Sequence, residues 1–445
     1  MKLRACFVSI LFIVLLFAQA GALNARPHVE RTVLSNKLVL LVAEEHSLPF
    51  VSFQLLMDSG SRNDPIGKEG LARLTARGLL LGTSKRTAAD INLEVDFVGA
   101  SLMADANEDY ATLNLRVLKK DLSKGFDLFM DVLTHPVFPA DEVSKEVEKT
   151  LAGIQAEEDR PEAVADKAFC RELFCNAYGA PVEGLKESLS TISREDVERF
   201  YGKYYFPNNA ILVVVGDITF QEVKERLLPN IELWKAGALE VVPFKGCFLE
   251  GPKTVKINRP ITQANIIIGH AGVSRDNPDY YALTVMNYIL GSGGFSSRLF
   301  DEIRVKKGLA YSVGSFFDPR RYPGSFQIIL QTKNASAGEA IRIALDQMRN
   351  IRTEPVKPQE IEGAKKYLIG SFPMRFDTQG KLVNFLAQVE YYGLGLDYPL
   401  KYPSLISSVT IDRVRDAANR YLHPEQCLIV IVADLKESEI KETAR

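Results

Sequence analysis

The chain has 445 residues, 25% of them charged, and a formal net charge of −2. So even a balance argues against nucleic acid or an anionic membrane as the main partner. The length suffices for two domains of about 200 residues, each large enough to bury its own core.

The N-terminus opens with Lys2 and Arg4, continues as an apolar run from Ala5 to Ala18, and passes small residues at Ala20 and Ala22. That layout is a secretory signal peptide, expected over residues 1–22. The run is too short to span a bilayer, and no later stretch is long and apolar enough. The reading is therefore an exported chain with no membrane span after signal removal, periplasmic if the source is Gram-negative. Of the cysteines beyond the signal, Cys170 and Cys175 cannot be bridged if one continuous helix carries both, because their Cα atoms lie too far apart. Cys170, Cys175, Cys247 and Cys427 are all expected as buried or free thiols, although an exported compartment would permit a disulfide.

In chain order, segments 51–56, 101–106 and 111–117 alternate or run apolar as strands do. Segments 119–133, 140–156 and 194–204 have the apolar spacing of amphipathic helices. The order recurs with strands over 264–268 and 326–330 and helices over 337–351 and 358–368. A short turn between the second and third strands makes the sheets largely antiparallel. Helices arriving in blocks must cover one face of such a sheet, which gives an α+β fold.

The recurrence is also visible residue by residue. Val197, Tyr204, Pro207 and Asp217 align with Val414, Tyr421, Pro424 and Asp434 at one offset of 217, and Thr134 to Pro139 aligns with Thr353 to Pro358 at 219. Two matches at nearly one offset mark a tandem duplication. The expected domains are 23–237 and 253–445, joined by a linker over 238–252.

Residues 70–83 read Gly-Leu-Ala-Arg-Leu-Thr-Ala-Arg-Gly-Leu-Leu-Leu-Gly-Thr. This segment resembles the signature of the M16 (pitrilysin/insulinase/mitochondrial processing peptidase-like) family. There a helix carries His-x-x-Glu-His, two histidines four apart bind zinc, and the glutamate acts as general base toward the bound water. The matching positions here are Arg73, Ala76 and Arg77. The family's third ligand, a glutamate about 76 residues further on, falls at Gly153. A guanidinium has no lone pair for a cation and alanine accepts no proton. Nor are the five histidines, His28, His46, His135, His270 and His423, spaced as ligand pairs. The expectation is a chain without metal or other cofactor of its own. Two readings of Arg73 and Arg77 stay open: an exposed helix face, or a pair that attracts acidic peptide groups.

Residues 291–311, Gly-Ser-Gly-Gly-Phe-Ser-Ser-Arg-Leu-Phe-Asp-Glu-Ile-Arg-Val-Lys-Lys-Gly-Leu-Ala-Tyr, resemble a second M16 segment. In that family an arginine and a tyrosine seven residues later grip substrate near the scissile bond, which implies that role for Arg304 and Tyr311. The resemblance also implies a LuxS/MPP-like fold of two homologous domains. Some bacterial members work as heterodimers in which one subunit carries zinc and the other the Arg/Tyr pair. By that likeness this chain is the noncatalytic, peptide-binding subunit, with a zinc-bearing M16 homologue, or a second copy of itself, as partner. The competing reading is a proteolytically inactive scaffold of the cell envelope.

Overall fold

The computed structural model describes residues 28–240, 244 and 246–438. The expected signal peptide lies outside them, as do residues 241–243 and 245 of the expected linker. Among the described residues, no helix is long and apolar enough to cross a membrane.

Two mixed sheets organise the chain. The first has the order β1-β2-β6-β3-β5-β4, built from Val29–Val33, Val39–Glu44, Phe50–Met57, Ser101–Ala106, Ala111–Leu118 and Ala210–Gly216 in sequence order β1 to β6. The second has the order β7-β11-β8-β10-β9, from Lys253–Asn258, Gln263–Ala271, Ala310–Asp318, Ser325–Lys333 and Leu428–Ala433. Removing β1 makes the two orders identical, so the duplication read from the sequence is a duplication of topology. Each sheet is antiparallel except for one parallel pair, β2 with β6 and β7 with β11.

The helices used below are α1 (Leu71–Gly78), α2 (Leu122–Thr134), α3 (Ala140–Glu157), α4 (Pro161–Leu173), α5 (Arg194–Tyr204), α6 (Tyr280–Asn287), α7 (Ala337–Thr353), α8 (Pro358–Ser371), α9 (Gln379–Tyr391) and α10 (Ile411–Tyr421). Their starts are locally encoded. Ser193 accepts from the Asp196 amide in a capping box ahead of α5, Thr410 caps α10, and Pro161 and Pro358 occupy first-turn positions that need no N–H.

Each half's own helices cover one face of its sheet, as expected, and the structure adds that the other face is covered as well. Beside its own helices, each sheet carries one helix from the opposite half. α4 of the first half packs on β11 and β8, and α9 of the second half packs on β6 and β3. Ala165, Ala168 and Phe169 of α4 share a core with Ile267, Leu428, Val430 and Val432. Leu382, Val383 and Leu386 of α9 belong to one cluster with Leu41, Leu56, Val213 and Val215. Enclosure from both sides is why β6 (Ala-Ile-Leu-Val-Val-Val-Gly) and β11 (Leu-Ile-Val-Ile-Val-Ala) are continuous apolar runs, whereas β5 alternates buried and less buried residues.

Polar contacts reinforce the exchange. Tyr391 Oη donates to Asp58 Oδ1 at 2.9 Å, the Arg321 amide donates to Asp109 Oδ2 at 2.8 Å, and Arg31 pairs with Glu390 at 2.8 Å. Tyr178 also donates to Asp109, a carboxylate whose pKa burial pushes up against the pull of these donors.

A second correction concerns the cysteines. Cys175 and Cys247 form a disulfide, leaving Cys170 and Cys427 as free thiols. The geometric argument against a Cys170–Cys175 bridge says nothing about other partners. α4 ends at Leu173, which frees Cys175 to turn toward the inter-half segment. Phe174, Tyr178, Phe244, Phe248 and Tyr322 pack as an aromatic group around this junction.

Candidate functional site

α1 begins after Gly70 and packs Leu71, Ala72, Leu74 and Ala76 into the first core, which turns Arg73 and Arg77 toward the edge strand β4. Ala76, at the position of the family's general base, is fully buried. Arg73 grips Asp105 of β4 with two nitrogens, Nε to Oδ1 at 2.7 Å and Nη2 to Oδ2 at 3.2 Å. Arg77 approaches the same carboxylate at 3.4 Å and sends Nη1 to Glu146 of α3 at 3.0 Å. Burial opposes both charged forms, yet the pairing prevails: Asp105 is held below the ordinary carboxylate pKa, and Arg77 above its own.

Neither reading of these arginines survives unchanged. They are half-buried and satisfied internally rather than an open face or a free anion receptor. Gly153 lies on α3 two turns beyond Glu146, exposed, and a Cβ built there meets nothing within 4 Å. Glu157 and Glu158, one turn beyond Gly153, pair with Lys167 and Lys186 at 2.7 Å each. Among the described residues no three His, Cys, Asp or Glu side chains are grouped to hold a metal ion. The residues at the four signature positions do not fit zinc, because two permanent cations stand where neutral donors are required.

The second segment is built differently. Gly291, in the last turn of the helical stretch Tyr288–Ser292, sits so close to β9 that a Cβ there would clash with Ser315. Arg298 then makes a two-pronged pair with Glu360 of α8, at 2.7 and 2.8 Å, which anchors the start of the next helix. Residues Phe300–Lys306 wind with the wide π spacing, and Gly308, at φ +62°, turns the chain into β9.

Arg304 and Tyr311 are brought together by this path. The Arg304 guanidinium lies 4.9 Å from the Phe300 ring centroid and 5.5 Å from that of Tyr311. The nearby carboxylates are taken by Lys306, which holds Asp301 and Glu302 at 2.9 and 2.6 Å. Tyr311 is 72% exposed. The reason lies in the register: Gln331 pairs with Ser312 but Thr332 pairs with Ala310, so Tyr311 is the extra residue of a β-bulge. A bulge redirects its side chain, here outward beside the guanidinium. Phe295, 84% exposed and edge-on to Phe300 at 4.7 Å, extends the patch, a residue to which the sequence reading gave no role. Its signal was a large aromatic directly after a Gly-Ser-Gly-Gly run.

The two sets occupy corresponding places. Asp105 with its arginines marks edge strand β4 of the first sheet, and Tyr311 lies on edge strand β9 of the second. Among the described residues, no hydrogen bond, ion pair or ring contact joins one set to the other.

A duplicated α+β fold with Arg73, Ala76 and Arg77 on one helix of the first half and the Arg304–Tyr311 segment in the second is the architecture of the M16 peptidases and their inactive homologues. Residues 39–184 match the Insulinase (Peptidase family M16) profile and residues 191–368 that of the Peptidase M16 inactive domain. An "Uncharacterized zinc protease" of Streptomyces coelicolor is 30% identical over 91% of this chain and 89% of that protein. The "Non-peptidase homolog YmxG" of Helicobacter pylori is 25% identical over 98% of this chain and 100% of that protein. A crystal structure of the peptidase M16 inactive domain from Pseudomonas fluorescens superposes with a TM-score of 0.85 at 26% identity, covering 91% of this chain and 98% of that one. The chain belongs to the M16 peptidase family.

Proposed function

We propose that this protein is the noncatalytic, substrate-binding subunit of a heterodimeric M16 peptidase whose partner supplies zinc and the general base. The observation that carries the reading is the contrast between the two edge-strand sites. At β4 every charge is cancelled by an internal partner. At β9 a guanidinium without a carboxylate and a phenol thrown out by a bulge stand side by side in solvent.

An arginine so placed can hold a peptide carbonyl or carboxylate, and a phenol can donate to the oxyanion that forms as the bond is attacked. No water activator accompanies them, so the chain alone does not cleave. Export, to the periplasm in a Gram-negative cell, is part of the same proposal. It is supported by the basic-apolar-small N-terminus and by the Cys175–Cys247 disulfide, which persists in oxidising compartments.

The test mixes the purified chain with a zinc-bearing M16 homologue from the same cell and measures peptide cleavage. Activity should appear only in the mixture and fall about 100-fold on Arg304→Ala or Tyr311→Phe. Cleavage by this chain alone, abolished by a chelator, would overturn the proposal. Mixture activity indifferent to both substitutions would also reject it and leave a scaffold.

A further inference from the structure

At the far end of β9 from Tyr311, a cleft of about 470 Å³ opens between the turn ahead of α6, Pro319, the turn that follows α8, and α9. Three cations line it, Arg275, Arg375 and Lys381, and none of its lining residues is an aspartate or glutamate. Lys381 is neutralised by Asp377 at 2.8 Å. The two arginines are not neutralised. Arg275 stacks 3.7 Å from the centroid of Tyr280 and donates Nη2 to Tyr398 Oη at 3.1 Å. Arg375 lies over the rings of Phe372 and Tyr402 at 5.4 and 5.6 Å.

Six other arginines packed into the fold are neutralised internally, unlike this pair. Arg62, Arg73, Arg77, Arg86, Arg298 and Arg320 each face a carboxylate. Among the described residues Arg275 and Arg375 have none, so two positive charges converge on one cavity without an internal counterion. Ring stacking leaves a guanidinium its charge and fixes its plane, which prepares the planar fork for a carboxylate. Phe385 and Leu394 add apolar wall beside the cations. That wall suits an organic ligand with side chains better than a bare inorganic anion.

We propose that this cleft binds an acidic peptide segment, placing one carboxylate on Arg275 and a second on Arg375. The proposal stands apart from the Arg304–Tyr311 site, since the two share no residue and binding here is read without cleavage or a partner subunit.

The experiment titrates the full chain with a fluorescent hexapeptide of sequence Leu-Glu-Gly-Leu-Glu-Gly, blocked at both ends, and with its glutamine counterpart. Inorganic pyrophosphate serves as a third probe. The glutamate peptide should bind, its affinity should fall with added salt, and the glutamine peptide should bind at least tenfold more weakly. Arg375→Gln, at an exposed side chain, should weaken binding about tenfold with unchanged thermal unfolding, and Arg275→Gln should do at least as much. Arg342→Gln, an equal charge change on α7, should not. Equal binding of both peptides, no binding at millimolar concentration, or indifference to Arg375→Gln would overturn the proposal. So would pyrophosphate binding as tightly as the peptide, which would make the cleft a general oxyanion site.

Discussion

The backbone N–H of His423 donates to Nε2 of His270 at 3.1 Å, while Nδ1 of the same ring meets the Ala271 carbonyl at 2.8 Å. The ring is thereby fixed as the neutral tautomer that carries its proton on Nδ1. Burial, and secondarily the neighbouring His423, lowers the His270 pKa to about 4.

A depressed folded pKa means that the stabilising neutral form is fully available above the unfolded value near 6.5. Its contribution is lost as pH falls from there toward about 4. Two and a half units correspond to about 3 kcal/mol at most. Urea unfolding at pH 7.5 and pH 5 should show a marked loss at the lower pH that shrinks in His270→Gln. An unchanged pH difference in the variant would mean that other groups govern acid sensitivity.

The Cys175–Cys247 bridge spans 72 residues and ties the end of α4 to the segment between the halves. Closing so long a loop restricts the unfolded chain by about 4 kcal/mol in the entropic account, with 2–4 kcal/mol the usual measured range. Cys247→Ser, or reduction of the wild type, should lower the unfolding midpoint, and reductant should have no further effect on the variant. A wild-type midpoint insensitive to reductant would argue that the bridge contributes nothing to stability.

The exchange of α4 and α9 predicts that neither half is self-sufficient. Phe169 is fully buried, its ring seated where Gly269 offers no side chain; a Cβ at 269 would lie 2.8 Å from that ring. Phe169→Ala should cost about 3–5 kcal/mol and lower the protection of β11 and β8 amides in hydrogen exchange, although the residue comes from the first half of the chain. Loss of protection confined to the first sheet would contradict the exchange.

Much of this architecture was legible before coordinates. The repeat at an offset of 217 shows as self-similarity, the edges of α5 follow from local spacing and capping, and the helix bearing Arg73 and Arg77 is implied by the resemblance of residues 70–83 to the M16 segment. What escaped depends on distant partners. Asp105 captures both arginines from a strand about 30 positions away, and Cys175 finds Cys247 only because α4 stops two residues short of it. The bulge at Tyr311 is set by register against Thr332, which no pattern within β9 reveals. The exchanged helices did leave a trace: β6 and β11 lack the alternation that a one-faced sheet requires.

If the M16 zinc geometry persists under the ion pairs, restoring its ligands should restore binding. α1 still presents residues 73 and 77 one turn apart on one face, and Gly153 has open space for a longer side chain. Removing the two guanidiniums also frees the carboxylates of Asp105 and Glu146, adding negative potential to the spot. The triple substitution Arg73→His, Arg77→His, Gly153→Glu should therefore bind zinc near one equivalent by elemental analysis after dialysis, where the parent retains none. Adding Ala76→Glu should be harder on the fold, since that position is fully buried and a carboxylate there needs the metal's water or a donor nearby. If the triple variant folds, as judged by circular dichroism, yet stays free of zinc, the backbone between α1 and α3 has drifted along with the ligands. In that case the ion pairs of Arg77 with Asp105 and Glu146 have replaced the old site rather than merely filled it.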